Sequence, residues 1–216
     1  MYREWDLPHA TVRCAWAVDS TSDGQWTQPA TEFWGLAFSS TGAGLGAELI
    51  GPASHPQHFE LRAGDRFWGV ELHAHVFLRS VPKSSFELIQ ALPLVPGGFL
   101  LGDRHHAFPD ENQLGEVVEA LVADGLLSSE RSVELALTGI GDQSGRTLRR
   151  RMREVTGLNH QQIAGMARAR EAFRLLSEGI QIADVVERAG YSDQAHLTRS
   201  LRALAGRTPR EILAGR

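Results

Sequence analysis

The sequence predicts an α+β fold: a small β-barrel or sandwich-like domain, followed by an all-helical domain of about seven helices. Between residues 11 and 80 the apolar residues recur with the period of two that is typical of strands. From Asp110 onward they recur at the helical spacing of i, i+3, i+4 and i+7. The change falls near residues 103–109, so we expect domains at residues 1–107 and 108–216.

The composition is that of a globular protein, but its charge is unevenly distributed. Hydrophobic residues make up 42% and charged residues 22% of the chain. Residues 1–125 contain 7 basic and 16 acidic residues (net −9), whereas residues 126–216 contain 15 and 10 (net +5). An acidic half joined to an arginine-rich half predicts that the basic half faces a polyanion.

The sequence also predicts where the protein works. No apolar run approaches the length of a membrane span, and the N-terminus does not resemble a signal peptide. The single cysteine, Cys14, allows no intrachain disulfide and fits the reducing cytoplasm. We therefore expect a cytoplasmic protein.

Short strands separated by turn residues are predicted in the first half. The predicted strands are residues 11–18, 32–38, 46–50, 58–62 and 67–76. In the first, alternation would place Val12, Cys14, Trp16 and Val18 on one face. The glycine-rich residues 42–46 predict a hairpin rather than a phosphate-binding loop, because the spacing and context of such a loop are missing. Three aromatic residues are candidates for lining an effector pocket: Trp34, Phe59 and Trp68.

The helices follow in order, each with its own boundary signals. Ser84 and Glu87 resemble a capping box that opens a short helix. Further helices are expected near residues 110–125, 131–138, 146–157, 160–178, 182–189 and 195–206, followed by a last short helix that starts at Thr208-Pro209, with no strands among them. Their signals include caps at Ser144 and Ser192, the Asn159–Gln162 capping box, and Pro209 at a first helical position.

One pattern occurs twice, at residues 146–157 and again 49 residues later at 195–206. Each copy has apolar residues at i, i+4 and i+7 and ends in glycine, as expected for a helix with one buried stripe. The outer faces hold Arg146, Arg149, Arg150 and Arg153 in the first copy, and Ala195, Thr198, Arg199 and Arg202 in the second.

Each patterned helix follows a shorter helix and a tight turn, the arrangement of a helix-turn-helix unit. Arginine suits recognition helices because its guanidinium group donates two hydrogen bonds at once, to guanine or to phosphate. Gln194 and Thr198 add shorter hydrogen-bonding side chains near the start of the second helix. The long helix between the units could place them about one DNA turn apart, roughly 34 Å.

The motifs at residues 189–199 (Ala-Gly-Tyr-Ser-Asp-Gln-Ala-His-Leu-Thr-Arg) and 205–209 (Ala-Gly-Arg-Thr-Pro) closely resemble the signature of AraC/XylS-type transcription regulators. Residues 146–152 and 156–158 are similar to that family's first recognition helix. The resemblance covers roughly residues 110–214 and implies seven helices with two helix-turn-helix units that enter adjacent major-groove segments. By position, it implies base contacts from Arg146, Arg149, Arg150, Gln194, Ala195, Thr198 and Arg199.

The resemblance implies a regulator that binds operator DNA and is not an enzyme. The N-terminal half resembles the family's effector or dimerisation domains only loosely. We expect no cofactor, a small-molecule effector or a homodimer as further partners, and RNA polymerase if the protein is an activator.

A cupin-like metal sensor or enzyme is the alternative. His73, His75, His105 and His106 could supply imidazoles to one metal ion. No carboxylate motif accompanies them, so scattered histidines are the preferred interpretation and no metal site is predicted.

Overall fold

The computed structural model describes residues 1–79, 81, 89–138 and 145–214. The helix predicted to open at Ser84 with Glu87 and the cap predicted at Ser144 lie outside the described residues. Within the described ranges, no helix is long and apolar enough to cross a membrane.

The described residues form thirteen strands. They are β1 (Tyr2–Trp5), β2 (Val12–Asp19), β3 (Gly24–Gln28), β4 (Gly35–Thr41), β5 (Gly44–Ile50), β6 (Gln57–Leu61), β7 (Arg66–Leu72), β8 (Val76–Leu78), β9 (Ile89–Ala91), β10 (Leu94–Val95), β11 (Gly98–Leu101), β12 (Arg104–Ala107) and β13 (Leu127–Ser129).

Seven α-helices are found in the same described part of the chain. They are α1 (Leu114–Ala123), α2 (Arg131–Leu137), α3 (Arg146–Thr156), α4 (His160–Ser177), α5 (Ile182–Arg188), α6 (Gln194–Ala205) and α7 (Pro209–Ala214). Open sheets thus precede a helical C-terminal part, and the predicted α+β class is confirmed.

Strand β13 corrects the prediction that the C-terminal half contains no strands. Its three residues pair with β8 in an antiparallel ladder, in which Leu127 lies opposite Leu78. Both leucines are buried. A segment this short shows no periodicity, and only a distant partner strand makes it extended.

The chain forms two compact units, and neither is continuous in sequence. Unit 1 comprises Met1–Gln25, Phe33–Pro52 and Glu60–Gly157. Unit 2 comprises Trp26–Glu32, Ala53–Phe59 and Leu158–Arg216. The predicted domain boundary between residues 107 and 108 stays a prediction.

A six-stranded antiparallel sheet, in the order β1-β2-β7-β4-β5-β9, forms the centre of unit 1. Strands β4 and β5 form the hairpin predicted at residues 42–46, with Thr41 opposite Gly44. The stripe of α1 packs into the core with this sheet: Leu114, Val118 and Leu121 are almost fully buried, whereas Val122 is 40% exposed.

A bulge in β2 changes which of its residues face the core. The pairing of β2 with β7 shifts between Val12 and Cys14. Val12 therefore shares a core cluster with Ala15 and Ala17 and not a face with Cys14, Trp16 and Val18, as was predicted. Cys14 and Val18 are buried outside that cluster. An extra residue in one strand reverses the alternation beyond it, and residue types alone did not reveal it.

Strand β7 is shorter than predicted. It ends at Leu72, and residues 73–75 form a turn before β8. His73 and His75, predicted to share one face of a strand, lie in this turn with their rings stacked at 5.4 Å between centroids.

Helices α4 to α7 form the core of unit 2. Its buried residues include Leu176 from α4, Val185 from α5, and Leu197 and Leu201 from α6. The capping box predicted at the start of α4 is confirmed, since Asn159 and Gln162 exchange hydrogen bonds of 2.9 and 3.0 Å.

Unit 2 also includes two segments from the β-rich half, residues 26–32 and 53–59, here called the strap segments. The Ala30 N–H donates to the carbonyl oxygen of Leu204 at 2.6 Å, and Ala30 packs with Ala169 and Leu204. Glu32 is 3% exposed and accepts two hydrogen bonds from the Arg170 guanidinium at 2.5 and 3.3 Å. The sequence did not predict these contacts.

Candidate DNA interface

Helix α3, within unit 1, is one of the two helices predicted to contact DNA. Gly145 begins it without a side-chain cap, and Gly157 ends it in the left-handed conformation, at φ 72°. Met152 and Val155 are buried on its inner face, as the repeated pattern predicts. The i, i+4, i+7 spacing therefore sets which side of α3 remains open to solvent.

The four arginines predicted on the outer face of α3 are all exposed. Arg150 is 74% exposed in its side chain and lies 3.6 Å from the Glu154 carboxylate, so this ion pair at the surface is weak. Within the described part of the chain, Arg146, Arg149 and Arg153 form no ion pair. Exposed guanidinium groups without carboxylate partners are available to an anionic ligand.

A fifth arginine of α3, Arg151, has a different role. It donates to the Glu130 carboxylate at 2.7 Å and lies 3.5 Å from Glu154. The hydrogen bond to Glu130 raises the pKa of the Arg151 guanidinium above its usual value. Because Glu130 immediately precedes α2, this contact helps to position α3 on α2. The sequence did not predict this contact, since Glu130 and Arg151 are 21 residues apart.

The other predicted DNA-contacting helix, α6, lies in unit 2, where it forms a helix-turn-helix with α5. Gly190 takes a positive φ of 69° in the turn, as glycine does readily. Asp193 is the N-cap of α6 and accepts from the His196 N–H at 2.7 Å. The predicted cap, Ser192, is one residue too early, and its hydroxyl contacts Asp193 at 3.0 Å instead.

The outer face of α6 is less basic than that of α3. Gln194, Ala195, Arg199 and Arg202 are exposed there. Thr198 is half-buried, and its hydroxyl donates to the Gln194 carbonyl at 2.8 Å. That donation leaves the hydroxyl oxygen of Thr198 as a hydrogen-bond acceptor.

A family model described as "Helix-turn-helix domain" matches residues 142–215, which include both patterned helices. Residues 142–215 are an AraC-type helix-turn-helix domain. This match agrees with the AraC-type, DNA-binding domain that the signature at residues 189–209 predicted.

Solved structures of ToxT from Vibrio cholerae are similar to the whole chain. One, in a P21 crystal form, shows a TM-score of 0.49 and 6% identity and covers 99% of this chain and 98% of that chain. For a ToxT structure from V. cholerae O395, the TM-score is 0.42 and the identity is 9%. It covers 93% of this chain and 95% of that chain. For the structure of unsaturated fatty acid bound ToxT from V. cholerae strain SCE256, the TM-score is 0.44 and the identity is 8%. It covers 97% of this chain and 97% of that chain. At TM-scores below 0.5 these similarities support no argument about function. No curated protein matches the sequence.

The three aromatic residues predicted to bind an effector lie outside the AraC-type domain. Trp34 and Trp68 are buried in the core cluster of unit 1, and the Trp68 indole donates to the Pro109 carbonyl at 3.2 Å. Phe59 is half-buried on β6. An effector site at these residues stays a prediction.

The four histidines of the metal-binding alternative are not gathered in one place. His73 and His75 lie in the turn after β7, and His105 and His106 lie on β12. Among the described residues, no three His, Cys, Asp or Glu side chains could together hold a metal ion. The arrangement gives the metal-binding alternative no support.

Proposed function

We propose that this regulator recognises a specific DNA sequence by placing α3 and α6 in adjacent segments of the major groove. The observation that supports this proposal most directly is the exposed arginine face of α3, where Arg146, Arg149 and Arg153 lack ion-pair partners in the described part of the chain. Arg174 on α4, by contrast, is paired with Glu171 and Glu178 at i−3 and i+4.

Base contacts are assigned to the residues nearest the start of each helix. On α3 these are Arg146, Arg149 and Arg150, because arginine can bond guanine O6 and N7 together. On α6, Gln194 and Arg199 donate to base edges, Thr198 accepts, and Ala195 offers a methyl contact to thymine. Arg153 and Arg202 lie one turn further along and are assigned to phosphates.

The β-rich residues 1–107 are proposed to modulate the DNA-binding residues 108–216. A small effector bound near Trp34, Phe59 and Trp68, or formation of a homodimer, would supply the signal. If the protein activates transcription, it is also proposed to contact RNA polymerase. The proposal places the protein in the cytoplasm with its DNA and assigns it no catalytic activity and no cofactor.

Selection of bound sequences from a random DNA pool tests the proposal. We expect enrichment of one site with two recognition elements separated by about one helical turn, roughly 10 base pairs. A scrambled site of equal length is the control, and specific binding should exceed it by about 10³-fold or more at physiological salt. Equal binding to every sequence would contradict sequence-specific recognition.

A further inference from the structure

A groove in unit 1 lies between β12 and α1 and has a volume of about 190 Å³. One wall consists of one face of α1 with the residues at its two ends, Gln113 and Asp124. The other wall consists of β12 and Pro109, which follows β12 in the chain. The lining residues are His105, His106, Ala107, Pro109, Gln113, Glu116, Val117, Ala120 and Asp124. None of these residues belongs to the candidate DNA interface.

His106 forms the buried part of this groove. It is 4% exposed, and its ring packs on Phe99 at 5.5 Å between centroids. The buried Nε2 atom has no hydrogen-bond partner among the described residues. A buried imidazole nitrogen is normally satisfied, so an unpartnered one that lines a groove indicates a position for a ligand atom.

The charge of the ligand is indicated by the carboxylates around His106. The Oδ2 atom of Asp124 lies 4.0 Å from Nε2, too far for a direct hydrogen bond. Glu116 supplies a second carboxylate, two turns earlier on the same stripe of α1. Arg104 approaches Asp124 at 3.9 Å from outside the lining and compensates part of its charge. The lining itself contains no Lys or Arg.

The ring of His106 cannot easily supply a positive charge of its own. Burial lowers the pKa of His106 below the usual value of 6.5, although Asp124 acts in the opposite direction. The neutral ring at pH 7 can accept a hydrogen bond through an unprotonated nitrogen. An acceptor nitrogen beside a carboxylate favours a ligand that donates hydrogen bonds and is positively charged.

We infer that the groove between β12 and α1 binds a small organic cation with a primary ammonium group. The ammonium donates to Asp124 and to Nε2 of His106, and its alkyl part lies on Val117 and Ala120. A negatively charged ligand would face two carboxylates. This binding is independent of DNA; only its use as the regulatory effector rests on the proposed function.

Calorimetric titration of the purified full-length protein with n-butylammonium chloride, in the absence of DNA, tests this inference. We expect saturable binding of n-butylammonium and none of sodium butyrate at matched ionic strength. Asp124→Asn should weaken n-butylammonium binding at least about tenfold, as expected when a charge-assisted hydrogen bond is lost. Because DNA is absent, failure here leaves the DNA-binding proposal standing.

Glu119→Gln is the matched control, since Glu119 is exposed on α1, has the same charge and lies outside the lining. It should bind n-butylammonium as the unmodified protein does. Circular dichroism and the unfolding midpoint confirm that both variants are folded. Equal weakening by Asp124→Asn and Glu119→Gln, equal binding of butyrate, or binding of zinc in place of the ammonium would each overturn the inference.

Discussion

Arginines that lie close together in the sequence have different surroundings in the structure. Arg149 is exposed and unpaired in the described part of the chain, whereas Arg151, two residues later, donates to Glu130 at 2.7 Å. The helical phase separates them, because consecutive residues on an α-helix differ by about 100° in direction. The arginines on the outer face are the proposed DNA contacts, whereas Arg151 is held against Glu130.

Replacing Arg199 by Ala should weaken binding to the selected site by about 1–3 kcal/mol and relax the preference at one base pair. The loss is expected because Arg199 is proposed to donate two hydrogen bonds to one base. Fluorescence anisotropy with the site and its single-base variants measures both effects. Arg174→Ala is the control, because Arg174 is paired with Glu171 and Glu178 on α4. Equal weakening on all sequences would make Arg199 a phosphate contact instead.

Two histidines should make the stability of unit 1 depend on pH. Burial lowers the pKa of His73 and of His75, against the opposing effect of Glu134. Below pH 6.5 the unfolded histidines bind protons that the folded ones do not, so the free energy of unfolding should fall as pH drops from 7.5 to 5.5. Measured by urea unfolding, the free energy of unfolding should fall less over this pH range in the double variant His73→Asn/His75→Asn than in the unmodified protein. An equal decrease in both proteins would mean that other titratable groups cause the pH dependence.

At the scale of elements, local capping and tertiary contact determine different things. The start of α4 follows from its Asn159–Gln162 capping box, and the ends of α3 and α6 follow from Gly157 and Gly206, which take positive φ values of 72° and 68°. These signals act within one turn and are readable in the sequence. The start of α6 was missed by one residue, since Ser192 and Asp193 are both good capping residues.

Asp193→Ala should lower the unfolding midpoint more than Ser192→Ala. Only Asp193 accepts from a backbone N–H of α6, and this bond holds the pKa of its carboxyl below the usual value. The comparison is made by thermal unfolding near neutral pH, where the carboxylate is charged. Equal losses for the two variants would mean that the serine and the aspartate share the capping role.

Glu32→Gln should destabilise the packing of the strap segments in unit 2. The buried Glu32 carboxylate holds Arg170 with two hydrogen bonds, and such bonds to charged groups contribute about 1.5–3 kcal/mol. Denaturant unfolding measures the loss. Glu171→Gln, which weakens an exposed pair on the same helix, should change stability very little. A loss as small as that of Glu171→Gln would show that the strap segments are held mainly by Ala30.

For the whole molecule, the unequal charge of the two halves of the sequence bears on the proposed DNA binding. Residues 126–216 have a net charge of +5, whereas residues 1–125 have −9. The positive charge attracts phosphates, and the negative half repels them. Direct DNA contact by the β-rich half is therefore not expected.

DNA affinity should fall steeply with salt concentration. If about 5–8 phosphates are neutralised, the logarithm of the affinity should fall against the logarithm of the salt concentration with a slope of roughly −5 to −7. Titrations between low and physiological salt give this slope. Arg153→Ala should make this slope shallower by about one, as expected for the loss of a phosphate contact, whereas Arg174→Ala should leave the slope unchanged. A slope near zero would contradict binding through the arginine faces.

The sequence by itself determined the fold class, the helix order and the identity of the DNA-binding domain. Helical spacing, glycine stops and the motif at residues 189–209 are local signals that can be recognised in the sequence. The exposed faces of α3 and α6 follow from the same spacing.

Only the tertiary structure decided the contacts between residues far apart in the chain. Glu32 and Arg170 are 138 residues apart, and Glu130 and Arg151 are 21 apart. The bulge in β2 and the pairing of β13 with β8 likewise depend on which strand lies alongside. The groove of His106 exists because α1 packs beside β12. Such contacts depend on which surfaces meet when the chain folds, and a short stretch of sequence does not by itself specify its distant partner.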